Sequence, residues 1–480
     1  MQVNACHAQY AANLLSWSRT RAVIAGEDAI KAGGKLYLPR LDSQTDQDYE
    51  NYKTRACFYN ATGRSLEGFL GLLFHRQPEV KFPKLSASAQ PNDLFPQGVD
   101  LAGMSFSVYC KNVAQSVLSL GRMGTLVEWD DESNHAFLCS YQAEDILNWQ
   151  VAKINGRKQV TMVVLQETIE RHNPENIFVP HQIKIYRVLS LEKQNDGSYQ
   201  YVSEVWEGLA EGDKTTWQPT SRLIPLRQGQ PLSFIPFVFH GPRNQSPDVD
   251  MSPLAQMIPV NLDHYRLDAD YKHGLHFTAL PTPWASGFDK DNNYKIGSTT
   301  AWVTEQVGAV AGYLEFQGLG LTSFVEALNR DERLLAVLGS RLLEDTKRVG
   351  ETVEAIMQRQ SGENSVLQTI AFSLSESLTT VMRYVAWWEL QTALDSNDVL
   401  VTLNSDFTIK GLDSNQLYAV VAAWQAGAFS QETMFSLFRK REILPPGRTD
   451  AEENELLKKT VMKLNPASLS IPSHPLVQQP

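Results

Sequence analysis
The chain has 480 residues, too many for one ordinary core; at about 150 residues per domain, length alone suggests roughly three domains. Composition is 42% hydrophobic, 10% aromatic and 20% charged, which excludes a wholly disordered chain. Lys+Arg 43 against Asp+Glu 54 leaves −11, which excludes a protein that grips nucleic acid through a basic surface, but not one that surrounds DNA without holding it.

Residues 1–80 read as helical. Leu14, Leu15, Trp17 and Ile24 fall near helical spacing, and Gly33-Gly34 breaks the pattern. Tyr37-Leu38-Pro39 reads as a short extended piece, because the residue before a proline avoids the helical region. Tyr49, Tyr52, Ala56 and Tyr59 then step by three and four, and Leu66, Phe69, Leu70 and Leu73 extend an apolar face. Residues 81–103 are Pro- and Ser-rich loop. Residues 104–121 return to helix with Phe106, Cys110, Val113, Val117 and Leu120 on one face.

From 122 to about 240 the period changes to that of strands. Thr125–Trp129 is one; Ile146–Ile154 and Val160–Gln166 flank Asn155-Gly156, a strong hairpin signal. Ile183–Leu191 and Tyr199–Trp206 flank the turn Asn195-Asp196-Gly197. The class is α+β with antiparallel strands, not alternating βαβ.

A polar linker, 241–252, leads to Ser252-Pro253, an N-cap followed by proline. A helix is expected to about Phe277, bent at Pro259. Residues 278–320 hold many glycines and prolines together with Trp284, Phe288, Tyr294, Trp302, Tyr313 and Phe316, and read as a small β-rich insert with exposed aromatics. Helix returns over Thr322–Leu338, with Phe324, Leu328, Leu335 and Leu338 on one face. A charged break, Glu344-Asp345-Thr346-Lys347-Arg348-Val349-Gly350, follows.

A long helix is expected from about Glu351 to Leu394, kinked near Gly362, with Leu367, Ile370, Leu374, Leu378, Val381, Val385 and Trp388 on one face. Val399–Leu403 and Phe407–Ile409 read as extended, Leu417–Trp424 as helix capped by Gly427. Ser430 opens another helix, and Thr449-Asp450-Ala451-Glu452 is a capping box for a last one to about Lys463. Residues 465–480 hold four prolines and read as a disordered tail.

Chemistry-bearing motifs are sparse. No G-x-x-x-x-G-K-[ST], G-x-S-x-G or H-E-x-x-H occurs, so no phosphate cradle, nucleophile elbow or zinc helix is expected. His273 and His276 form an i, i+3 pair without a third ligand at known spacing. Asp130-Asp131-Glu132 lies between strands, where a solvated turn is the plain reading. Ten tryptophans would suit a sugar cleft, but no pair of carboxylates stands out to serve it. Cys6, Cys57, Cys110 and Cys139 form no C-x-x-C pair and are expected as free thiols. No basic run precedes Arg19, so a secretory signal is not expected; no apolar window approaches membrane-spanning length.

The order of parts is informative. An α+β domain leads into a bent helix, a β-rich aromatic insert, a returning helix, a charged loop, a very long helix, a strand and a helical cluster. This order resembles the portal proteins of tailed bacteriophages. Lys31 to Pro39, Tyr52-Lys53-Thr54-Arg55-Ala56 with Tyr59-Asn60, Leu338 to Glu344 with Glu351-Thr352, and Gly427 to Thr433 are similar to runs of an uncharacterised, portal-like phage family. The resemblance spans about residues 10–460.

It implies a portal-type fold: a wing over 1–250, stem helix 1 over 251–277, and a clip over 278–320. Stem helix 2 would cover 321–343, a tunnel loop 344–350, a long kinked helix and wing strand 351–410, and a crown 411–464. It implies a non-enzymatic ring, typically of twelve copies, at one capsid vertex of the virion, assembled in the bacterial host cytoplasm. Double-stranded DNA would pass through it without sequence specificity. Its partners would be the terminase large subunit, a head-to-tail adaptor, and the major capsid or scaffolding protein, with no membrane and no cofactor. Glu344 to Gly350 would project into the channel, the alternative being a solvated helix–helix loop. Trp284, Phe288 and Tyr294 would dock partners, while Trp302 and Phe316 would fill the clip's own core. A minor head or baseplate protein, or a carbohydrate-active enzyme, are the competing readings.

Overall fold
The computed structural model describes residues 2–83, 97–173, 176–211, 214–278, 282–288, 302–314, 320–340, 365–390, 397–407, 430–440 and 448–463, with a few isolated positions between these runs. The chain divides into two units, 1–83 with 95–405, and 84–94 with 406–480.

The first unit is α+β. It opens with α1 (Ala8–Ala25), α2 (Glu27–Ala32), α3 (Asp46–Arg55) and α4 (Ala61–Leu73). The buried face of α1 is Tyr10, Trp17, Thr20 and Val23; Leu14 and Leu15 are 40% and 83% exposed, so the face expected from sequence is rotated. The reason is aromatic: Trp17 and Tyr10 meet edge to face, and the Trp17 indole donates to the Leu120 carbonyl. Tyr37-Leu38 is not extended. Gly34–Leu36 forms a 3-10 turn, and both side chains bury behind it, with the Tyr49 hydroxyl donating to the Leu38 carbonyl. Both expected faces on α3 and α4 are buried, except Tyr59, which lies past the end of α3.

A short strand, β1 (Glu79–Lys81), precedes α5 (Phe106–Leu120). Ser105 caps α5, Gly121 ends it in the left-handed region at φ +76°, and the expected apolar face is buried. Next come β2 (Met123–Asp130), β3 (His135–Gln142), β4 (Ile146–Ile154), β5 (Arg157–Asn173), β6 (Asn176–Lys193), β7 (Tyr199–Glu211), β8 (Lys214–Leu223), β9 (Leu226–Arg227), β10 (Gln230–Pro231) and β11 (Phe237–His240). Strands β4 to β8 make an antiparallel meander, while β11-β2-β3 form a second sheet. Asn155 and Gly156, at φ +47° and +81°, make the expected two-residue hairpin between Ile154 and Arg157. Between β6 and β7, Asp196 accepts from the Ser198 backbone and hydroxyl.

Two helices follow, α6 (Met257–Thr278) and α7 (Leu321–Ser340), with β12 (Thr282–Ser286) and β13 (Val310–Leu314) between them. Then come α8 (Val366–Leu390) and β14 (Leu400–Thr402), which pairs antiparallel with β1. All seven residues expected on the inner face of α8 are buried. Trp388 stacks on Trp129 of β2 at 5.9 Å. Residues 351–364, including the expected kink at Gly362, lie outside the described residues.

In the second unit, α9 (Gln431–Lys440) begins at Ser430, whose hydroxyl accepts from the Thr433 backbone. Helix α10 (Asp450–Lys463) begins with the expected capping box: Thr449 and Glu452 exchange backbone-to-side-chain bonds. Gln431 donates to Asn454 at 3.0 Å, and Arg439 pairs with Asp450. The tail 465–480 and most of 408–427 lie outside the described residues.

Candidate functional site: a helical pair carrying a hairpin
The pair α6–α7 starts from a turn. Ser252 accepts from the Leu254 backbone and donates to the Leu118 carbonyl, tying the turn to the end of α5. The helix begins at Met257, not 253. Pro259 therefore falls in the first turn, where its missing N–H has no helical partner to lose, so the physical cause of the expected bend is absent.

The lower half of α6 is gripped. Ile258, Leu262, Tyr265 and Ala269 join Val23, Ile30, Tyr37, Leu38, Tyr49, Tyr52, Ala56 and Phe58 in one buried cluster. Arg266 donates to the Tyr37 carbonyl and Tyr52 to the Asp270 carboxylate, at 2.9 and 2.5 Å. Asn261, fully buried, accepts from both the backbone and hydroxyl of Thr62 and donates to the Tyr59 carbonyl. So Tyr37-Leu38 and Tyr52–Tyr59, parts of the resemblance, anchor the root of this helix.

Above Ala269 the grip ends. No side chain described over 270–278 is fully buried, and on α7 only Asp331 and Leu335 are. The two helices run antiparallel: a Cβ on Gly274 would lie 2.9 Å from Leu321, while His264, ten residues earlier, lies 3.5 Å from Glu332, eleven later. Gly274 thus permits close approach near the tip. Leu275 and Val325, near the tip, are 37% and 39% exposed; Leu334 and Val337, nearer the root of the pair, are 41% and 45% exposed.

At the tip, β12 and β13 pair antiparallel, Trp284 opposite Gly312 and Pro283 opposite Tyr313. The Trp284 indole lies across Gly312, where a Cβ would come 3.2 Å from Nε1, and the residue is 43% exposed. Tyr313, on the opposite face, is 58% exposed. Phe288 meets Trp302 edge-on at 6.5 Å, and both are half-buried. Tyr294 and Phe316 lie outside the described residues, as does every position from Glu344 to Gly350. Tyr313 is among the aromatics expected from sequence to be exposed, and it is.

A partly buried charge cluster lies between the sheets. Arg187 donates to both oxygens of Glu128, at 2.8 and 2.9 Å, and its Nε lies 2.7 Å from Glu167. Tyr141 donates to Glu167 at 2.7 Å, and burial pushes its hydroxyl pKa up. This cluster braces β2 against β5 and β6.

Asp130 accepts from the Ser133 backbone at 2.9 Å, and its bonds with Ser133 lower its pKa, as in a solvated turn. The His273 ring meets Tyr52 edge-on. Among the described residues, no group of three His, Cys, Asp or Glu is placed to hold a metal ion. No described helix is long and apolar enough to cross a membrane. The four cysteines are unpaired, and burial raises the pKa of Cys110.

A buried polar chain crosses the core. Tyr109 and Thr125 hydroxyls lie 2.5 Å apart, Thr125 is 2.6 Å from His240 Nε2, and His240 Nδ1 is 2.8 Å from the Ser377 hydroxyl. Ser377 donates to the Leu374 carbonyl. Burial pulls the His240 pKa down to about 3, so the imidazole is neutral. One direction satisfies every group: Tyr109 donates to Thr125, Thr125 to Nε2, Nδ1–H to Ser377. The chain fastens α8 to β2, β11 and α5.

A family model for a domain of unknown function, DUF4055, matches residues 253–389, less than half of the chain. The match begins at the turn before α6 and ends in the last turn of α8. No curated protein matches. Among solved structures, a chain from the neck of an empty gene transfer agent particle, computed with C6 symmetry, is similar at 12% identity and TM-score 0.39. The alignment covers 80% of this chain and 90% of that one. A chain from the virion of the native gene transfer agent particle is 13% identical, TM-score 0.39, with 88% and 99% covered. A chain from the neck of the native particle, computed with C12 symmetry, is 11% identical, TM-score 0.36, with 85% and 98% covered.

Proposed function
We propose that the protein is a portal subunit of a tailed phage or phage-like particle. In this reading it is a ring-forming, non-enzymatic component of the virion at the capsid vertex where DNA enters and leaves. The observation that carries this is the antiparallel pair α6–α7, rooted in an α+β body, bare along its upper half and ending in a small hairpin with aromatic faces. A stem and clip have that form.

Exposed apolar side chains on such a pair suit contact with the next copy in a ring. Twelve copies at −11 would carry roughly −130, a field that repels DNA rather than retaining it. Glu344, Asp345, Thr346, Lys347, Arg348, Val349 and Gly350 would then border the channel, with Lys347 and Arg348 meeting phosphates and the acids limiting their hold. Trp284 and Tyr313 would offer docking faces to a terminase large subunit and later to a head-to-tail adaptor. The wing would meet capsid or scaffolding protein during assembly in the bacterial cytoplasm.

The test is native mass spectrometry and class-averaged electron microscopy of the purified chain. Twelve copies of 53.9 kDa give about 650 kDa and a ring with a channel of roughly 20 Å or more. A monomer or dimer at high concentration, under every salt condition, would remove the reading.

A further inference from the structure
Arg122 is the largest fully buried side chain among the described residues, at 1% exposure. It sits between the left-handed cap Gly121 and the first residue of β2, so its backbone has little freedom. The guanidinium lies 3.8 Å from the ring centre of Trp149 and 4.9 Å from that of Phe239; His7 stacks on Trp149 at 3.9 Å. None of its three nitrogens donates to a described group. Two aromatic faces favour the cation, but they leave the in-plane N–H groups unmet, and buried unmet donors are costly. Burial lowers the pKa only to about 9, so the charge persists at neutral pH.

The acidic side chain whose charge reaches this guanidinium is Asp248. It stands on the irregular segment 241–252, which lies over the same place: a Cβ on Gly121 would overlap the Asp250 carbonyl. The segment is pinned at both ends, by Ser373 of α8 donating to the Gly241 carbonyl and by Ser252 donating to the Leu118 carbonyl. Its middle is held by neutral groups. Gln9 Nε2 donates to Asp248 at 3.0 Å, the Ser246 hydroxyl donates to it at 3.2 Å, and Gln9 Oε1 accepts from the Val249 backbone.

We propose that Arg122 is the receiving half of a latch: segment 241–252 has a second arrangement in which Asp248 leaves Gln9 and pairs with the Arg122 guanidinium. A carboxylate matches the geometry of the unmet donors. The closed latch ties the root of α6 to the α5–β2 junction, and its open form is the Gln9-held arrangement. The inference does not depend on the portal reading. A free oxyanion has the same chemistry, and the experiment separates the two.

Hydrogen exchange over 241–252 is measured by mass spectrometry on the full chain, with and without inorganic phosphate. Asp248→Asn, at an exposed site, raises exchange about tenfold, Arg122→Met does the same, and the double variant goes no further. Gln9→Ala releases Asp248 to the latch and leaves exchange equal or lower. Exchange that rises in Gln9→Ala as much as in Asp248→Asn overturns the latch, whether or not Arg122→Met folds. So does an additive double variant, or an Asp248→Asn variant that exchanges like wild type. Dose-dependent protection by phosphate that survives Asp248→Asn but not Arg122→Met also overturns it, in favour of a free anion.

Discussion

His240 offers a sharp test of how α8 is held, because its chemistry gives the effect a pH signature. Replacing it with Gln keeps an acceptor for Thr125 but removes the imidazole that donates to Ser377. At pH 7 the loss of one buried bond and an imperfect fit cost about 1–3 kcal/mol. The wild-type imidazole titrates near 6.5 when unfolded and is depressed to about 3 when folded. Its neutral form therefore stabilises the fold fully above pH 6.5, and that contribution is lost as pH falls towards 3. Between pH 7 and pH 4 the unfolded state binds a proton the native state refuses, a loss of about 3 kcal/mol at pH 4 and at most about 5 at still lower pH. The variant lacks that term. Urea melts at pH 7 and pH 4 should show wild type ahead at the first and the gap closed or reversed at the second. A gap that stays constant across this range would mean that His240 is not held neutral in the core.

Other outcomes follow from the same structure. Leu374→Ala, at a fully buried position on α8, should lower stability by about 2–5 kcal/mol in denaturant melts. Arg187→Met should cost about 3–5 kcal/mol, since it strands Glu128 and Glu167, and adding Glu128→Gln should recover part of it; strict additivity would deny that the three act together. If 344–350 borders the channel, Ala at Lys347 and Arg348 should leave ring assembly intact but alter DNA packaging or retention. Lys at Glu344 and Asp345 should stall DNA in a way that added salt relieves. Wild-type packaging by both double variants would reduce the segment to a connector.

What the sequence disclosed depended on how local the cause was. The face of α8 was legible because seven apolar residues repeat at helical spacing and all of them bury. Asn155-Gly156 and the Thr449–Glu452 box were legible because their geometry is set within a few residues. Strand β1 was not: three residues, Glu79–Lys81, become a strand only because β14 arrives from more than three hundred positions away. The rotated face of α1 and the folded Tyr37-Leu38 were hidden for the same reason, since Leu120 and α6 decide them. Arg122 gave no signal in the sequence, because nothing local says that Trp149 and Phe239 will close over it. The helix–hairpin–helix run was legible as an order of segments, but which aromatics of 278–320 are exposed depended on cross-strand partners, as Trp284 over Gly312 demonstrates.

The uneven burial of the helical pair leads to one more prediction. Below Ala269, α6 sits in a cluster of a dozen buried side chains, whereas α7 keeps large apolar side chains exposed at both the tip and the root level of the pair. Leu334 and Val337 on α7 are 41% and 45% exposed. Fully burying such a side chain is worth about 1.5–3 kcal/mol, so covering the remainder yields roughly 1 kcal/mol each. With Leu275 and Val325, one junction between neighbours would gain roughly 3–4 kcal/mol, repeated around a closed ring. Leu334→Asp with Val337→Asp removes half of that and sets two charges against an apolar surface. In the isolated chain the same residues are part-exposed, so the fold should lose no more than about 1 kcal/mol per site, mostly helix propensity. The double variant should therefore keep its circular dichroism and come within a few degrees of the wild-type melting point, while native mass shows the ring depleted in favour of single chains. If rings form as readily as in wild type, Leu334 and Val337 are not on the surface that neighbours share, and contacts between copies must lie elsewhere on the body.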